Sequence, residues 1–125
     1  MNAGKTVFSQ VLGRVRHWEF QRLAQIHDRS DGRRQFSAWD HFLALAFAQM
    51  TFRESLRDIE ACLSANRSKL FHMGLKNVPA RSTLSDALNL RDWRIYHALA
   101  MRLITRARAL YAAQPLDIDL DATVY

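Results

Sequence analysis

The chain has 125 residues, 49% of them hydrophobic and 24% charged, the make-up of one folded domain and not of a disordered segment. The formal net charge of +6 hides an asymmetry: all 18 Lys and Arg lie at or before Arg108 with nine of the 12 acids, leaving a body at +9 and a tail carrying Asp117, Asp119 and Asp121. A single cysteine, Cys62, excludes an internal disulfide, and no apolar run is long enough to span a bilayer.

In chain order, Thr6 to Leu12 carries Val7, Phe8, Val11 and Leu12 at helical spacing, closed by Gly13. His17 to Ile26 reads as a second amphipathic helix with Trp18, Leu23 and Ile26 inward. Asp28 to Arg34 is a polar loop around Gly32. Ser37 caps the next helix with Asp40 three residues on, and that helix, to about Met50, is apolar on nearly every side, as a central bundle helix is. Thr51 and Glu54 have the spacing of a capping box, which predicts a helix over 52–64 with Leu56, Ile59 and Leu63 inward and Arg53, Arg57 and Glu60 outward. Cys62 falls on the same apolar side and reads as a buried structural thiol.

Ser68 to Met73 reads as a short helical piece closed by Gly74, and Lys76 to Ala80, with Pro79, as extended. Ser82 is the expected cap of a helix over 83–91. Asp92 restarts or extends it into a long helix with Tyr96, Leu99, Leu103, Ala107 and Leu110 on one face and Arg94, Arg102 and Arg106 on another. Beyond Pro115, Leu116, Ile118 and Leu120 alternate with aspartates, a two-residue period that reads as strand. The expected fold is all-α: a bundle of five or six helices over residues 1–112, with residues 113–125 as a linker and a short orphan C-terminal strand.

A +9 body implies a polyanionic partner, with double-stranded DNA the first candidate, and the preponderance of Arg over Lys favours phosphate and base-edge contacts. The two capped helices at 52–64 and 83–91 form a helix-turn-helix-like pair whose second helix opens on short polar residues able to approach bases and phosphates. The candidate DNA-binding residues are Lys76, Arg81, Ser82, Thr83, Ser85, Arg91 and Arg94. The Ala65–Arg81 link is far longer than the turn of the standard motif, so an insertion is required, and two ordinary bundle helices are the competing reading. No two histidines stand three or four apart, so no helical metal clip is written, and the tail aspartates read as a solvated edge. Trp18, Trp39 and Trp93 read as core. The N-terminus lacks a signal-peptide core, which makes cytoplasmic the expected localisation.

Phe52-Arg53-Glu54-Ser55-Leu56-Arg57-Asp58-Ile59-Glu60-Ala61-Cys62-Leu63, Phe71-His72-Met73-Gly74, Arg81-Ser82-Thr83-Leu84-Ser85-Asp86-Ala87 and Arg91-Asp92-Trp93-Arg94-Ile95-Tyr96 together resemble the N-terminal region of bacterial insertion-sequence-four-type DDE transposases. The opening Lys5-Thr6-Val7-Phe8-Ser9-Gln10 is similar to theirs as well, whereas Arg14-Val15-Arg16-His17 stands where relatives often show Pro-His. The resemblance implies a helical domain that binds the terminal inverted repeats of a mobile element, placed before a ribonuclease-H-like catalytic domain whose two Asp and one Glu hold two divalent ions, usually magnesium. It places the first catalytic Asp about three residues beyond Tyr125, with Asp121, followed by Ala122-Thr123, as a rival placement that the register of the resemblance disfavours. On that basis the chain is expected to be a truncated fragment that holds no cofactor and does not cut DNA alone. A helical dimerisation or packing module with only non-specific DNA affinity, acting as a homodimer, is the alternative expectation.

Overall fold

A computed structural model describes residues 7–28, 35–110 and 112, and every regular element among them is helical. In order these are α1 (Val7–Leu12), α2 (His17–His27), α3 (Ala38–Met50), α4 (Leu56–Ala65), α5 (Arg67–His72), α6 (Arg81–Leu90) and α7 (Arg94–Leu110). The described residues thus hold seven helices, not the five or six expected, because the stretch after Ala80 is two helices. Arg91 is extended (φ −74°, ψ 139°) and breaks it. The expected strand over 116–125 and the expected boundary at 112/113 involve residues outside those described, as do the three tail aspartates. The chain divides after Arg91 into a first unit, residues 1–91, and a second, residues 92–125.

In the first unit α3 is flanked by α2 and α4, and α4 in turn carries α5 and α6. The core gathers Leu43, Ala44 and Phe47 from α3, Ile59, Cys62 and Leu63 from α4, Leu70 from α5 and Leu84 from α6, with Phe8 and Leu12 of α1 at its margin. Leu63 and Leu84 are fully buried, and each such leucine stabilises the fold by ~1.5–3 kcal/mol relative to an exposed one. Phe8 meets Phe47 edge to face with centroids 5.1 Å apart. α3 starts where the sequence places it: the Ser37 hydroxyl accepts the Asp40 backbone N–H at 3.1 Å.

Four sequence expectations are corrected here. The α2 inner face is Glu19, Phe20, Leu23 and Ala24, while Trp18 and Ile26 are exposed. The stripe follows Phe20 because Trp39 and Phe42 of α3 receive its ring, with centroids at 5.3 and 5.4 Å. Trp93 is exposed too, and only Trp39 of the three tryptophans is half-buried. The Thr51–Glu54 capping box does not form. Thr51 ends α3, its hydroxyl donating to Phe47 O at 2.7 Å and lying 3.7 Å from Cys62 Sγ, and α4 opens four residues later with the Ser55 hydroxyl accepting Asp58 N–H at 3.1 Å. Ser82 does not cap α6, because the helix already starts at Arg81 and Ala80 occupies the N-cap.

The long Ala65–Arg81 link is explained by α5. Asn66 turns the chain, its side-chain amide donating to Cys62 O at 2.8 Å. Gly74 then ends the helix at φ +105°, a conformation that disfavours any side chain. Residues 75–80 run without helix, as expected, to Ala80 (φ −71°, ψ 160°). In the second unit, described by itself, α7 buries Ile95 and Leu99, with Tyr96 and Leu103 half-buried.

Candidate nucleic-acid interface

The two helices expected to form a helix-turn-helix-like pair are α4 and α6, which are in contact but joined through a whole helix and an extended strap. Between them runs an open groove lined by Leu56, Arg57 and Glu60 of α4 and by Ala80, Arg81, Ser82 and Ser85 at the start of α6. Three of the seven sequence-nominated residues, Arg81, Ser82 and Ser85, therefore share one wall. Arg57 and Glu60, expected only to face outward, form the other.

Glu60 controls the chemistry of this groove. Its Oε2 accepts the backbone N–H of Arg81 at 2.6 Å, and its Oε1 lies 3.6 Å from Arg81 Nε. A carboxylate from α4 thus does for α6 what a local hydroxyl was expected to do. It satisfies a first-turn amide and sits at the positive end of the helix dipole. Leu84 N–H bonds Ala80 O at 3.0 Å, closing the first turn of α6. Ser82 is exposed and Thr83 and Ser85 are half-buried.

The remaining nominated residues go elsewhere. Lys76 is exposed on the strap and, with Thr83, Asp40 and Asn77, lines a second hollow; it also borders a third with Arg67, Phe71 and His72. Arg91 is buried at 8% exposure, with its Nη2 donating to Phe36 O at 2.5 Å and its guanidinium 6.0 Å from the Phe36 ring centroid. It grouped with the exposed arginines by spacing, but its place is within the first unit, holding the segment before α3 against the end of α6. Arg94 belongs to the second unit. Its Nε and Nη2 bond both oxygens of Asp92 at 2.7–3.1 Å, and these bonds, then the carboxylate charge, raise its pKa further above the usual guanidinium value.

Beside Arg91 lies His41, 1% exposed on α3. Burial, and then the Arg91 charge, lower its pKa from 6.5 to about 4, so it is neutral at physiological pH. Among the described residues no three His, Cys, Asp or Glu side chains gather as metal ligands, and no helix is long and apolar enough to cross a membrane.

Neither curated proteins nor solved structures provide a match to this chain. One family does: the domain of unknown function DUF4372 matches residues 3–76, from before α1 through α5 to the start of the strap. With more than half its length so matched, the chain belongs to the DUF4372 family.

Proposed function

We propose that this chain is a duplex-DNA-binding helical domain of the transposase type, engaging the ends of a mobile element through the α4–α6 groove. The observation that carries the reading is the groove itself: Arg57 on one wall, and Arg81 with Ser82 and Ser85 on the other, where α6 begins. The +9 body supplies the long-range attraction, and Lys76 on the neighbouring strap extends the cationic surface. The resemblance to insertion-sequence-four-type transposases supports inverted-repeat DNA as the partner. The proposal is for binding. The homodimer reading drew on the broad apolar surface of α3, much of which is met inside the first unit by α2 and α4.

Fluorescence anisotropy of labelled duplex across a salt series tests this. The logarithm of affinity falls linearly with the logarithm of salt, and Arg57→Ala is expected to make that slope shallower by about one. Arg81→Ala reduces it by less, because Glu60 already draws on that charge. Absence of binding in dilute buffer refutes the proposal. Equal affinity for inverted-repeat ends and scrambled duplex removes sequence-specific readout and leaves only non-specific association.

A further inference from the structure

Two helices of the first unit end in the same backbone hydrogen-bond pattern but differ at the residue which that pattern constrains most. At the end of α5, Leu75 N–H donates to Leu70 O at 3.0 Å and Gly74 N–H to Phe71 O at 3.1 Å, with glycine in the left-handed position at φ +105°. At the end of α3, Arg53 N–H donates to Ala48 O at 2.9 Å and Phe52 N–H to Gln49 O at 3.2 Å. Here the left-handed residue is Phe52, at φ +59°, the one non-glycine with positive φ among the described residues. Both are the paired six-to-one and five-to-two closure that glycine ordinarily completes.

The phenylalanine ring gains almost nothing inside the fold in return. Phe52 is 90% exposed, the most exposed large hydrophobic residue among those described. An aromatic side chain held in a disfavoured backbone conformation and offered to water is an outlier on two counts, and the inference runs from such an outlier toward function. The mounting is firm, because Thr51 just before it is bonded through its hydroxyl to Phe47 O and Ala48 O. The surroundings indicate the partner. Arg53 follows directly, Arg57 stands in the first turn of α4, both are exposed, and Arg57 already lines the groove. A purely apolar protein pocket would have to desolvate two exposed arginines within five residues of the ring. A nucleobase between phosphates suits both features, since every base has a face for stacking and a charge on each side.

We infer that Phe52 is a wedge that stacks on a nucleobase where duplex DNA is unstacked, with Arg53 and Arg57 on the adjoining phosphates. This rests on the DNA-binding reading above, and the experiment separates the two. The full chain is titrated into an intact duplex and into the same duplex bearing one unpaired base, with 2-aminopurine beside that position. Anisotropy reports binding, and 2-aminopurine fluorescence reports stacking. The wild-type chain is expected to prefer the bulged duplex by about tenfold and to change its fluorescence, since a stacked base contributes at that level. Phe52→Ala and Phe52→Gly abolish the preference and the fluorescence change. Phe52→Gly also raises the melting temperature, because glycine accepts the left-handed position, so unfolding cannot account for its loss. The wedge is refuted if Phe52→Gly keeps the preference, or if the wild type binds both duplexes equally with no fluorescence change, in which case the DNA-binding reading survives. Failure to bind either duplex refutes both. A Phe52-dependent self-association seen by sedimentation, without a fluorescence response, assigns the ring to a second copy of the chain and overturns the wedge.

Discussion

Acid should destabilise the first unit through His41. The imidazole is 1% exposed on α3, and burial followed by the Arg91 charge lowers its pKa from 6.5 to about 4. Between those two values the unfolded chain carries a proton on His41 that the folded chain does not, so stability is fully present above pH 6.5 and is lost as pH falls toward 4. At ~1.36 kcal/mol per pH unit the whole contribution is about 3 kcal/mol, and roughly 2 kcal/mol of it disappears between pH 7 and pH 5. The lower limit of that comparison stays above the ordinary carboxylate range, which keeps Asp and Glu largely out of the measurement. Urea denaturation followed by circular dichroism at pH 7, 6 and 5 reads the loss, with His41→Gln as the comparison. The variant starts less stable, having lost a packed side chain, but its stability should change far less over the same interval. Parallel losses in the two proteins would show that His41 is not the buried neutral group described here.

Two further predictions concern capping. Ser55→Ala should cost about 1 kcal/mol in thermal unfolding while Glu54→Ala stays within ~0.5 kcal/mol, because the hydroxyl that opens α4 is Ser55 and no capping box involves Glu54. Glu60→Gln should lower stability by about 1 kcal/mol yet raise affinity for duplex DNA and steepen its salt dependence, since it weakens the hold on Arg81 and removes a negative charge from the groove; reduced affinity in low salt would contradict this role for Glu60.

What the sequence disclosed was what is decided locally. Ser37 and Asp40 lie one turn apart, so their bond depends on nothing distant. The same local rule could not choose between Thr51 with Glu54 and Ser55 with Asp58, two hydroxyl–acid pairs of equal spacing set side by side. The choice went to Ser55 because Thr51 is held at the end of α3 by Phe47 O and lies against Cys62, eleven residues on. The cap of α6 was beyond any local reading, since the group that satisfies Arg81 N–H comes from Glu60, 21 residues earlier. On α2, size pointed to Trp18 and Ile26, whereas the aromatic surface of α3 selected Phe20. In the candidate site, Arg81, Ser82 and Ser85 were legible from the helix start. Arg91 was not separable from its exposed neighbours, because a charged residue near the end of a helix gives no sign that Phe36 will enclose it. Phe52 left no signal as a left-handed residue, since glycine is the only reliable marker of that conformation.

The boundary of the family match bears on how the groove should be understood. The matched residues end at Lys76, so Leu56, Arg57 and Glu60 lie within the shared domain while Arg81, Ser82 and Ser85 lie past it. Packing does not respect that boundary. Leu84 of α6 is fully buried in the same cluster as Leu63 and Leu70, and the first unit continues to Arg91. The physical folding unit is therefore larger than the matched stretch, and α6 completes the core as well as one wall of the groove. Glu60 couples those two roles: the carboxylate that fixes the start of α6 also pairs with the Arg81 side chain. Under the proposed function, any phosphate entering the groove would compete with that carboxylate, so the core that seats α6 would also set how readily the groove takes up an anion.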